Sequence, residues 1–374
     1  MTAPVVLDNA LISRWVDDPH GPVALHLRQA LLPVEGAGAV IFPPTYADIG
    51  YNIDTLSDGT RVATIDSVGS QANRMEPIFK HAPFSELVPQ VTIIFEEGTN
   101  VSLLDVGHRL ADASVRHSAL GPEVADAFAA FLRDGNADAI AGLAPTSLVF
   151  GAWDSRGAGA KLPRIVQSSI RAFDVSELKR SAVYTPAVDY AAVGVFDDED
   201  KAKAEGNTKS PLAQMGFVHV PAGDAPGGII AHGGIIRDVT VNLIALRRLH
   251  GGGPQRTTLL RHYILGLALV AAAEPQDGFL RQGCLLVPDA AAPTDWVAVK
   301  RTGERQNIAL TPEAQNIALT PEASLGFAHA AAAAFGVAPP RNVAFERESA
   351  RKEVNDKKAG KGAKKDKASA STET

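Results

Sequence analysis

Residues 147–175 read SLVFGAWDSRGAGAKLPRIVQSSIRAFDV. The apolar run Leu148, Val149, Phe150 predicts a strand that stops at Gly151. A polar, glycine-containing loop follows, with Asp154, Ser155, Arg156, Gly157 and Gly159. Beyond it Lys161, Arg164 and Arg171 are spaced among apolar residues, and the periodicity of Arg164–Asp174 fits a strand or a helix. Strand, small-residue loop, spaced cations: this order brings a bare backbone and several positive charges near something anionic and extended. Trp153 fits either of two roles, a base-stacking platform or a core residue at a strand end.

Working outward, Asp66–Phe79 (DSVGSQANRMEPIF) forms a companion stretch. It gathers Ser67, Ser70, Gln71, Asn73 and Arg74, all able to donate to phosphate or sugar, into one or two turns after the strand predicted over Arg61–Asp66. The helix expected there takes Asp66 or Ser67 as its N-cap. Further strands are expected at Ala39–Pro44, Val91–Gly98, Gly227–Asn242, Cys284–Pro288 and Trp296–Lys300. Helical spacing marks Asp105–His117, Pro122–Arg133, Leu243–His250 and Gln255–Ala273. Residues 176–216 start apolar and aromatic, then become a small charged tip, so they read as a protruding hairpin or a disordered loop. Lys179 and Arg180 lie at its start, and His232 lies in the glycine-flanked strand AHGGI.

Charge alone does not select a partner. The chain carries a net charge of −6, whereas residues 155–180 hold six Lys/Arg against two Asp/Glu, a local excess of four positive charges on an acidic body. The single cysteine, Cys284 in GCLLVP, excludes a disulfide framework within one chain and reads as a small buried residue. The ten histidines form no zinc-type pair with an intervening glutamate. RGAGAKLPR lacks the Gly-Lys-Ser/Thr of a phosphate loop, and no Gly-x-Ser-x-Gly elbow occurs. No metal, cofactor or catalytic residue is expected. No stretch reaches membrane-spanning length and no secretory signal is visible, which predicts a cytoplasmic chain. QNIALTPEA occurs twice in tandem, at 306–314 and 315–323, as a duplication in a tolerant loop rather than a solenoid. Residues 346–374 form a Lys-rich tail expected to be disordered.

DSVGSQANRMEPIF, FGAWDSRG and KLPRIVQSSIRAFDV together resemble the backbone subunit of CRISPR surveillance (Cascade-type) complexes, in the type I-G (formerly I-U) lineage of the RAMP superfamily. The similarity runs from about Phe42 to Pro288. Irregularly alternating elements with long insertions suit an α+β fold. The resemblance implies a ferredoxin-like (RRM-like) RAMP core filling residues 1–345, with a helical insertion over about 98–145 and a thumb over about 176–216. It also implies a non-catalytic subunit that stacks head to tail with copies of itself along a CRISPR guide RNA (crRNA) and presents it for pairing with a target DNA strand. The further partners implied are a capping/processing subunit, a large subunit, and a helicase–nuclease recruited later. On this reading the RNA contacts are Ser67, Ser70, Gln71, Asn73, Arg74, Trp153, Ser155, Arg156, Lys161, Arg164, Arg171, Lys179, Arg180 and His232. Two alternatives remain open. One is a cytosolic enzyme with a small-molecule pocket at the glycine loops 157–159 and 227–234. The other is an RNA-cleaving type III-like relative using Asp66, Asp105 or Asp154, although Asp66 and Asp154 read better as a cap and a turn residue.

Overall fold

The computed structural model describes residues 9–357, apart from 97, 293–294 and 309–318. Its spine is β1 (Ala24–Pro33), where ALHLRQALLP alternates between the core and a second, more open face. The chain next forms β2 (Arg61–Asp66) and turns into the helix α1 (Val68–Met75). β3 (Val166–Phe173) settles the ambiguous segment as a strand, with the two-residue alternation of burial that a half-covered sheet imposes. It runs through Asp174, whose φ is 48°, into β4 (Val175–Tyr184), which pairs with β5 (Val220–Ala231). The return strand is β6 (Ile235–Asn242), followed by the twenty-residue helix α2 (Pro254–Ala273), β7 (Cys284–Pro288), β8 (Asp295–Val299) and α3 (Pro321–Phe335).

The molecule is α+β. The main sheet runs β7–β1–β6–β3–β2, with Phe279–Arg281 and Ile53–Thr55 at its edges, and every pairing in it is antiparallel. β8 shares the β7 edge of β1, pairing with Ala24–Arg28 while β7 takes Leu31–Pro33. The order follows from two helical crossovers, α1 between β1 and β3 and α2 between β6 and β7. Each returns the chain to the same sheet with a strand of the other unit between.

The core lies on the helix side. α2 is buried on all sides from Tyr263 to Ala272, so it has no polar stripe; it is sandwiched between the sheet and α3. Gly266 makes that approach possible, since a Cβ there would sit 2.8 Å from the Ala328 Cα. Residues 98–145 supply three short 3-10 or α turns and the helices Gly121–Asp134 and Asp138–Leu143. Their Val124, Phe128 and Ile140 join the same core cluster as α2, so this segment is packed into the main core.

Several local expectations change. Thr146–Phe150 is a helix, not the strand predicted for Leu148–Phe150. All five residues are buried, and an apolar run covered on every side loses the periodicity that separates strand from helix. Ala39–Pro44 forms no strand beyond a single bridge from Ile41 to Ile229. The long helix read over Asp105–His117 is broken into Arg109–Ala111 and Ala113–Arg116 by Asp112, whose carboxylate caps Ser114. The expected thumb region is a hairpin, but its return arm is β5, beyond residue 216; the tip carries the short helices Asp198–Ala204 and Pro211–Gln214.

The Lys-rich tail starts ordered: residues 347–357 form a helix. Glu353 anchors it to His117 Nε2 at 2.7 Å and to Arg116 at 3.0 Å. Residues 358–374 lie outside the described residues, as do 309–318 within the duplication. Gln306 and Asn307 of the first copy end a strand, and Thr320–Ala323 of the second cap and open α3.

Candidate nucleic-acid interface

Gly151 ends the 146–150 helix with φ 79°, where a Cβ would meet the Arg164 Cγ at 2.7 Å. The chain then forms a two-rung ledge, Ala152–Trp153 paired with Lys161–Leu162. Asp154, only 6% exposed, holds the intervening loop: its carboxylate accepts from the amides of Gly157 (2.9 Å) and Ala158 (2.6 Å). This fixed ledge presents Trp153, 59% exposed, with the Lys161 ammonium 4.7 Å from its ring centroid. Ser155 and Arg156 are exposed on the same loop, while Arg164 is half-buried beside Gly151. The Trp153 ring is on the surface, so it is not the core residue at a strand end.

The companion stretch divides differently. Ser67 is the N-cap, accepting from the Ser70 amide at 3.3 Å, and Asp66 is not. Asp66 is instead a buried hub that accepts from Gln71 (2.8 Å), Arg74 (3.0 Å) and Arg281 (3.4 Å). Gln71 is fully buried and its amide oxygen takes the Ser168 hydroxyl at 2.7 Å, so both ends of its side chain serve the fold. Arg74 spends its fork on Asp66 and on the carbonyls of Phe279 and Leu280, the latter at 2.6 Å. Gln71 is therefore an internal tie, enclosed away from any RNA, whereas Arg74 is half-buried and already engaged by Asp66 and two carbonyls. Ser70 and Asn73 are exposed.

Arg109 joins the two stretches, and nothing in its sequence neighbourhood announces it. Buried to 4% exposure, it donates to Glu76 (2.7 Å), the Gly151 carbonyl (3.1 Å) and Asn73 Oδ1 (3.3 Å). Burial pushes the Glu76 carboxyl up to about 7, with the Arg109 charge pulling the other way.

The remaining cations follow β3. Arg171 is exposed on the sheet face away from the core, opposite Thr64 and Ile236. Lys179 and Arg180 are exposed on β4, Arg180 lying 5.9 Å from the Phe42 ring centroid. His232 is exposed at the turn into β6, with Nε2 2.9 Å from the Ser176 hydroxyl. Along β3 the ledge and the hairpin base stand about 25 Å apart at about 3.3 Å per residue, with Arg171 between them. The open face also carries residues that were not singled out from the sequence. His26 lies 3.4 Å from Asp238 and 3.2 Å from Thr240, and Arg28, 62% exposed, lies 3.9 Å from Asp238. The alternation of ALHLRQ puts His26 and Arg28 on one face, but only the pairing register (Arg28↔Asp238, Asp238↔Ser169) sets them beside β3.

The acids of the cleavage alternative are also placed. Asp66 and Asp154 are engaged as above, and Asp105 is paired with Lys80 at 2.7 Å. Among the described residues no group of three or more His, Cys, Asp or Glu lies together as a metal site. Gly157 and Gly159 belong to the ledge loop, whereas Gly227 and Gly228 lie against the backbone of Lys179 and of Ile41. No described helix is long and apolar enough to cross a membrane.

In comparison with known families, residues 25–177 match the family described as CRISPR-associated protein GSU0053. The matched region runs from β1 to the base of the hairpin and contains the ledge, the capped turn and Arg171. No curated protein matches the chain.

Proposed function

We propose, from the match of residues 25–177 to a family of CRISPR-associated proteins, that the chain is a non-catalytic, crRNA-binding backbone subunit of a type I interference complex, of the I-G lineage. Copies stack head to tail along the guide RNA and hold it for pairing with the target DNA strand, sequence choice being left to the guide. The sheet order β7–β1–β6–β3 with its two crossovers supports a ferredoxin-like RAMP core, and β4–β5 supports the thumb. Capping and large subunits would end the stack, and the helicase–nuclease would join it later. Such a complex works in the cytoplasm.

The observation that carries the reading is the ledge. A tryptophan left 59% exposed beside a lysine, on a loop pinned by a buried carboxylate, is a pre-organised stacking platform with a backbone-neutralising charge. Arg156 adds to that charge on the ledge loop, and Arg171, Lys179 and Arg180 continue it along β3 and β4, as a sequence-independent backbone contact requires.

The test is coexpression with a CRISPR array and the processing subunit, followed by native RNA gels. Wild type should purify with bound RNA in discrete multimers. Trp153→Ala should weaken RNA retention by about 1–3 kcal/mol, the range for one base–aromatic stack. Arg156→Ala/Lys161→Ala should lower the salt concentration at which RNA dissociates. RNA-free wild-type protein under these conditions would sink the reading.

A further inference from the structure

On the opposite side of the sheet from these cations lies a cavity of about 310 Å³. Its roof is the core face of β1, β3 and β6; its floor is the end of α2, the following loop 274–278 and the start of α3. Most of the wall is apolar, including Leu27, Leu31, Ile170, Leu286 and Trp296. Into this wall β6 sends Arg237, which is only 5% exposed. Its partners are poor: Ser168 Oγ and Gln29 Oε1, each at 3.4 Å, and the Met75 sulfur at 3.9 Å. Among the described residues no carboxylate stands within 4.0 Å of it. Burial pulls the guanidinium down to about 10, which leaves it charged near neutral pH. A second donor on the same wall, Gln276 Nε2, is buried without any partner.

A buried charge without a counter-ion is costly, and buried polar groups are otherwise paired. A cavity inside the usual range for small-ligand pockets, lined by apolar side chains with one weakly held guanidinium that lacks a counter-ion and one unpaired amide donor, has the makeup of a binding site. We infer that this cavity binds a small carboxylate with an apolar body, the carboxylate on Arg237 and Gln276 and the body against Leu27, Leu31 and Trp296. Glu274 lies on the same wall, half-buried, and burial, together with the neighbouring Glu322, opposes its ionisation. Among the described residues it is the one acidic residue lining the cavity, so it tunes affinity against an anion. The site is independent of the RNA reading: it uses none of the exposed cations and lies beneath the other sheet face.

Octanoate and 1-octanol are the probes, titrated calorimetrically into the purified full-length chain near neutral pH. Octanoate should bind about ten-fold or more tighter than octanol, because only the carboxylate engages the guanidinium. Arg237→Met should abolish that preference while octanol still binds, and Glu274→Gln should tighten octanoate severalfold. Equal affinity for the two probes, no binding of either, or a preference that survives Arg237→Met overturns the inference. If Arg237→Met does not fold, Gln276→Ala and Glu274→Gln decide: weaker and tighter octanoate binding respectively supports the site, and no change in either overturns it.

Discussion

Asp66 is a heavily engaged side chain near the candidate interface. Its carboxylate is fully buried and answers two arginines and one amide, which ties β2, α1 and the edge strand Phe279–Arg281 together. Asp66→Ala would strand Arg74 and Arg281. Unfolding in urea should show a loss of about 3 kcal/mol, the lower end for a broken buried pair because both arginines keep some solvent. Glu76 makes a different, pH-dependent contribution. Its folded value of about 7 lies above the ordinary 4.5, since burial penalises the charged form. The neutral form is thus favoured in the folded state: this group's contribution is full below about pH 4.5 and is lost as pH rises through 7. Comparing wild type with Glu76→Gln in urea series at pH 5 and pH 8, wild type should lose more stability on going to pH 8. Identical losses would show that Glu76 titrates normally.

At the level of elements, α2 against α3 is the contact most sensitive to a single atom. Gly266→Ala improves helix propensity by up to about 1 kcal/mol but drives a methyl group into the backbone of Ala328, and overpacking of this kind costs about 1–3 kcal/mol. The net expectation is a lowered melting temperature in thermal unfolding; an unchanged or raised one would show that α3 shifts freely. Sequence reading found β2, β6, α2 and the strands at 284–288 and 295–299, because their patterns are either strictly alternating or long and apolar between clear breakers. It missed the helix at 146–150, where burial on all sides leaves no period to read, and it could not choose for 164–174. The RNA-facing set shows the same divide. Trp153, Ser155, Arg156 and Lys161 stood out by residue type and are on the surface, whereas Gln71 looked equally available and is buried, and Arg74 is half-buried and tied to Asp66 and Leu280. Residue type alone does not tell a phosphate donor from a buried tie.

For the whole molecule, the hairpin is the part least committed to the fold. Its tip between Tyr184 and Val220 folds on its own small aromatic cluster of Tyr190, Phe196 and Phe217. It exposes Val188, Val193, Val195 and Met215, beside the exposed Val183 and Tyr184 at the end of β4. Replacing 185–219 by Asn-Gly joins the paired residues Tyr184 and Val220 through a two-residue turn suited to a hairpin. The truncated chain should unfold at nearly the wild-type temperature, since the main core cluster contains none of the removed residues. If the hairpin is the thumb that reaches a neighbouring copy, the truncation should lose the ladder of RNA-bound multimers on native gels; a persistent ladder would remove that role.

By itself the sequence determined the α+β class, the periodic strands and the long apolar helix, the local excess of positive charge over 155–180, and the turn chemistry that pins the ledge. These are written in spacing and residue type along a few neighbouring positions. Only the tertiary structure decided which polar residues face outward, that Arg109 joins Asn73 to Gly151, that His26 and Arg28 share a sheet face with Arg171, and that Arg237 stands over a cavity without an anion. Each of those facts depends on strand register or on packing between residues tens to hundreds of positions apart, and such separations leave no local pattern to read.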